Sequence, residues 1–80
     1  MQKQENPTYL KAITIRDISD VHSIKEDIKK EMILILRVTP LAQKDVEQLR
    51  KVVEELYSIA KSEGADIARL GEERIIVAPS

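Results

Sequence analysis

Met32-Ile33-Leu34-Ile35-Leu36 is an apolar run with no polar break. Rich in β-branched residues and too short for a buried helix, it reads as a central strand, covered on at least one face and bordered on both sides. It falls well short of the roughly 18 residues needed to cross a bilayer. The strand ends before Thr39 and Pro40, because a proline cannot donate to a β-ladder.

Upstream, residues 9–15 (YLKAITI) alternate well enough for a strand, with Leu10, Ala12 and Ile13 to Ile15 apolar and Lys11 and Thr14 outward. Asp17 then offers an N-cap and Asp20 a first-turn negative charge, while Ile18, Val21, Ile24 and Ile28 recur at helical spacing. This first helix ends at Lys29 and Lys30. Residues 1–8 are polar and aperiodic and read as a disordered lead or a remnant of expression, with the domain spanning residues 9–80.

Downstream, a second helix is expected over about residues 41–63. Val46, Leu49, Val53, Leu56 and Ala60 form the stripe that docks it on the sheet, and Val52, Tyr57 and Ile59 widen the apolar arc beyond a single contact. The extra arc has two explanations: cover by the first helix, or a helix-mediated homodimer with Val52, Leu56 and Ile59 at its interface. Gly64 fits the left-handed residue that ends a helix. Residues 65–70 and 74–78 make a final hairpin, and a Gly71-Glu72 loop predicts a type II′ turn. The order βαβαββ predicts an α+β two-layer sandwich, with two helices on one face of a mixed four- to five-stranded sheet.

Composition excludes several classes of function. With no cysteine there is no disulfide framework, thiolate metal site or cysteine nucleophile, and a reducing cytoplasm is compatible. His22 is the only histidine and reads as solvent-facing, so no metal site or cofactor is expected. Gly64 and Gly71 are the only glycines, too few for a phosphate loop. The 13 basic residues are interleaved with 14 acidic ones for a net charge of −1, which is not the clustered positive charge of a nucleic-acid binder. No set of base, nucleophile and metal ligands exists, so an enzyme is not expected.

The apolar strand, the Leu41-Ala42-Gln43-Lys44-Asp45-Val46 helix start, Gly64-Ala65-Asp66-Ile67-Ala68-Arg69-Leu70-Gly71 and Arg74-Ile75-Ile76-Val77-Ala78-Pro79 together resemble the core domain of the cell-division protein SepF, in particular its archaeal form. The likeness extends over nearly the whole chain after the lead. It implies a cytoplasmic, non-enzymatic homodimer that binds the C-terminal tail of FtsZ and tethers FtsZ filaments to the inner membrane face at the division site. In that family an N-terminal amphipathic helix makes the membrane contact, and residues 1–7 here are too short and polar to serve. By position, Arg69 matches a basic residue of the FtsZ-tail pocket and Ile75 an apolar, often aromatic one. Ser58 stands where bacterial members often carry glycine. The same element order also describes Alba-type nucleic-acid-binding dimers, which the acidic Gly71-Glu72-Glu73 turn disfavours. A small-molecule-binding regulatory domain is the other alternative, without a polar pocket signature in its favour.

Overall fold

The structure is a computed structural model that describes residues 9–79; the expected disordered lead lies outside the described residues. Its elements are β1 (Leu10–Thr14), a 3₁₀ turn (Ile18–Asp20), α1 (Val21–Lys29), β2 (Ile33–Arg37), α2 (Thr39–Lys44), α3 (Val46–Glu63), β3 (Ala65–Leu70) and β4 (Arg74–Pro79). The four strands form one mixed sheet in the order β1-β2-β4-β3. β1 runs parallel to β2, and β4 is antiparallel to both β2 and β3. The helices lie on one face, giving the two-layer α+β sandwich expected from the element order, with three helices rather than two.

The extra helix arises at Pro40 and Asp45. Proline stands in the first turn of α2, where its missing N–H has no helical partner to lose, so it starts a helix instead of only ending a strand. Asp45 then leaves helical geometry at φ −162°, ψ 103°, and its side chain accepts from the Gln48 N–H at 3.2 Å, capping α3. The single helix expected over residues 41–63 is therefore two, divided at Asp45. Gly64 closes α3 in the left-handed region at φ 72°. The first helix is also compound. The Asp20 carboxylate accepts the Arg16 and Asp17 N–H groups at 2.8 and 3.1 Å and fixes the 3₁₀ turn before α1 begins. The Ile18 N–H donates to Gln48 Oε1 at 3.1 Å, tying that turn to α3.

Side chains alternate across each strand, so the pairing register assigns them to faces. Leu34 and Leu36 of β2 and Ile75 and Val77 of β4 point at the helices and are fully or almost fully buried. They meet Ile24 and Ile28 of α1, Leu41 of α2, and Val52, Leu56 and Ala60 of α3 in one core. Each fully buried Leu or Ile contributes about 1.5–3 kcal/mol. Lys11 on the helix side of β1 donates to Asp27 of α1 at 2.9 Å, pairing the one buried charge among the described residues.

Among the described residues, no helix lies on the other face. Across it the register lays out three rows: Leu10, Ile33, Ala78 and Asp66; then Ala12, Ile35, Ile76 and Ala68; then Thr14, Arg37, Arg74 and Leu70. Leu10 and Leu70 are more than half exposed. A face this apolar without cover is uncommon on a sandwich of two layers.

The β3–β4 turn differs from the expected two-residue loop. Leu70 pairs with Arg74, leaving Gly71, Glu72 and Glu73 between the strands. Gly71, the first residue of this loop, takes φ 68°, a left-handed geometry that glycine adopts without steric cost.

Candidate functional site

β3 is an edge strand, and α3 runs over the helix side of the same edge, so a groove opens between them. One part of it, about 260 Å³, is formed by Val46, Leu49, Arg50, Val53 and Glu54 of α3 and by Arg69 of β3. Val46 is 61 % exposed although it is the first residue of α3 and was expected in the docking stripe. The helix break at Asp45 and the packing of α1 against α3 explain this. With α1 and the sheet both contacting α3, the buried arc centres on Val52, Leu56 and Ala60, and Val46 is left facing the groove.

Arg69 is exposed and lies opposite Ile75 in the strand pairing. One of its guanidinium nitrogens donates to the Glu72 carbonyl at 3.2 Å, which holds the side chain near the turn and leaves most of its donors free. Neither Arg50 nor Arg69 has a salt-bridge partner among the described residues. The result is an apolar trough of valine and leucine rimmed by two guanidiniums and one carboxylate, Glu54. Such a trough accepts an extended segment that alternates apolar and acidic side chains, since guanidinium binds carboxylate in a planar fork. The groove continues past Tyr57, Ser58 and Lys61 of α3 towards the start of β3. The backbone edge of β3 is open along its length.

Three other residues singled out in the sequence occupy different places from those expected. Ile75, matched by resemblance to an apolar pocket residue, has no exposed surface in the protomer and is part of the core behind β3. Val52 and Leu56 likewise have no exposed surface and belong to the protomer's own core, because α1 covers the side of α3 they occupy. Neither offers surface on the outside of α3. Ile59 does reach the surface, in a shallow groove with Ile18, Val21, His22, Lys25 and Glu55 between α1 and α3. His22 is exposed there. No cluster of His, Cys, Asp and Glu among the described residues has the arrangement of a metal site. No helix among them is long and apolar enough to cross a membrane.

The uncovered sheet face was missed in the sequence reading. Its signal lies in β2 and β4, where both alternating sets are apolar: Ile33 and Ile35 as well as Leu34 and Leu36, Ile76 and Ala78 as well as Ile75 and Val77. Strands with two apolar faces belong between two layers.

Comparison with known proteins places these features in context. The family description "Cell division protein SepF" matches residues 10–80. Among solved structures, a SepF-like protein from Archaeoglobus fulgidus is 25% identical, with a TM-score of 0.83 over 90% of this chain and 86% of that one. A SepF-like protein from Pyrococcus furiosus is 26% identical, with a TM-score of 0.82 over 96% of this chain and 93% of that one. Cell division protein SepF from Methanobrevibacter smithii, solved in complex with FtsZ-CTD, is 18% identical, with a TM-score of 0.78 over 90% of this chain and 91% of that one. No curated protein sequence matches the chain.

Proposed function

This chain belongs to the SepF family of cell-division proteins, and we propose that it is an adaptor at the division site that captures the C-terminal tail of FtsZ in the groove between α3 and β3, working as a homodimer joined through its open sheet face. The observation that carries the reading is the meeting of Arg69 and Arg50 over Val46, Leu49 and Val53 in one groove. Apolar side chains of the tail seat on the valines and leucine, and carboxylates pair with the guanidiniums. The Methanobrevibacter smithii relative, which has the same fold, was solved with FtsZ-CTD bound, which favours this partner. The homodimer is supported by the apolar sheet face. In an 80-residue chain, covering Ile33, Ile35 and Ile76 adds burial that a small core lacks.

The test is a fluorescence titration of the purified chain with a labelled peptide copied from the FtsZ C-terminus of the same organism. Saturable binding is expected, weakened about 10- to 100-fold by Arg69→Glu, the range for a charge-assisted pair lost and reversed. Arg69 is exposed, so the variant keeps its fold. Equal affinity of wild type and variant would refute the groove as the site.

A further inference from the structure

We infer that Glu54 is a specificity-determining residue of the groove: its carboxylate takes a cation of the bound tail, two residues along from the tail carboxylate that Arg50 and Arg69 hold. The inference rests on the FtsZ-tail reading above and adds the charge pattern that the groove reads. β3 follows α3 through Gly64 and returns along it, so its far end brings Arg69 back to the first turns of α3. Both guanidiniums therefore lie at the same end of the trough, near Val46 and Leu49, and Glu54 stands one helical turn beyond Arg50, beside Val53. The charges run in a fixed order along α3, positive and then negative. An occupant has to match that order.

Arg50 and Glu54 are four residues apart on one helix face, the spacing at which opposite charges ordinarily pair. They do not pair here, and neither has a salt-bridge partner among the described residues. Their order gives a reason. A carboxylate N-terminal to a cation follows the helix dipole, whereas Arg50 before Glu54 is the weaker arrangement. Both side chains are exposed and line the groove, each with its charge available to a ligand. Four helical residues advance about 6 Å along α3. Two residues of an extended segment advance about 6.6–6.8 Å and point to the same side of it. An extended tail laid along α3, in either chain direction, thus sets two side chains of one face against Arg50 and Glu54 in step, leaving the residue between them for the apolar floor. An acidic residue at the first position and a lysine or arginine at the second pair every charge. Two acidic residues leave one facing Glu54. The carboxylate therefore turns away uniformly acidic segments that the two guanidiniums alone would accept.

Fluorescence titration of the full chain at low salt, with tail peptides in which each lysine or arginine is replaced in turn by glutamate, tests this as a cycle of charge reversals. Glu54→Lys is expected to weaken the native tail about three- to tenfold, and Glu54→Gln by less, since the pair is reversed in one and only lost in the other. One of the replaced peptides loses a similar factor on wild type and recovers it on Glu54→Lys. The recovering position lies two residues from an acidic residue of the tail. Glu54 is exposed and glutamine and lysine are comparable helix formers, so circular dichroism of both variants matches wild type. Tighter binding of the native tail by Glu54→Lys would overturn the inference, because the carboxylate would then only repel an acidic ligand. Failure of every replaced peptide to recover would overturn it too. Equal affinity of wild type and Glu54→Lys, with Arg69→Glu still weakened, removes this inference and leaves the FtsZ-tail reading standing. A wild-type chain that binds no tail peptide overturns that reading itself.

Discussion

Leu56→Ala separates a core residue from an interface residue, because the two roles fail in different measurements. Leu56 has no exposed surface and sits where α1, α3 and the sheet converge. Truncation removes three carbons, about 2.4 kcal/mol at about 0.8 kcal/mol per buried methylene. The cavity left in a rigid core adds further cost, for a total of about 3–4 kcal/mol. A chain of 80 residues at about 0.05–0.15 kcal/mol per residue has about 4–12 kcal/mol in all, so this one change removes a large share of its stability. Urea unfolding at two protein concentrations reads the effect. With a slope of about 1–1.5 kcal/mol per molar, the midpoint falls by about 2–4 M at both concentrations. The dimer dissociation constant, measured below the transition, stays close to wild type. A loss of dimer with the unfolding free energy lowered by less than about 1 kcal/mol would return Leu56 to the surface of α3 and refute the assignment of α1 as its cover.

Other consequences are more local. Glu31 holds φ 61° in the α1–β2 turn with an exposed side chain, so Glu31→Gly relieves a left-handed strain and stabilises by about 0.5–1 kcal/mol, raising the melting temperature by about 3–6 °C; no rise would contradict this. Asp45→Ala removes the cap on the Gln48 N–H and costs about 1 kcal/mol in chemical denaturation, while Asp45→Asn, which keeps the acceptor, costs much less. Lys11→Met leaves the nearly buried Asp27 carboxylate without its partner at 2.9 Å and costs about 1–3 kcal/mol. The double variant Lys11→Met/Asp27→Leu recovers most of that cost, since an apolar pair replaces the ionic one; equal losses in the single and double variants would show that the ion pair is not what holds β1 to α1.

Much of this architecture was legible in local pattern. The apolar run at residues 32–36, the spacing of Ile24 and Ile28, Gly64 after the long helix and the final hairpin each carry a short-range signal, and all four strands formed where that signal put them. The α2–α3 break was harder to see. Periodicity runs through Asp45 without interruption, and only the competition between helix continuation and side-chain capping ends one helix and starts the next. The face of α3 depends on what lies across from it, and α1 covering one side moved Val52 into the core and Val46 out of it. The sheet face opposite the helices carries further apolar surface, which the helix pattern alone does not reveal. The groove itself was only half visible: Arg69 was found through a resemblance in the hairpin, but Arg50 carries no sequence signal apart from its place on α3 facing β3. Distant residues meeting across an edge strand are a property of the fold.

The central claim is that the groove between α3 and β3 takes the FtsZ tail, and amide chemical-shift mapping of the labelled chain with the tail peptide tests it most directly. The account predicts saturable shifts concentrated at Val46, Leu49, Arg50, Val53 and Arg69, with the α1 face around His22 and Ile59 unmoved. Shifts confined to that α1–α3 face, or to the open sheet face with the groove unchanged, would contradict it.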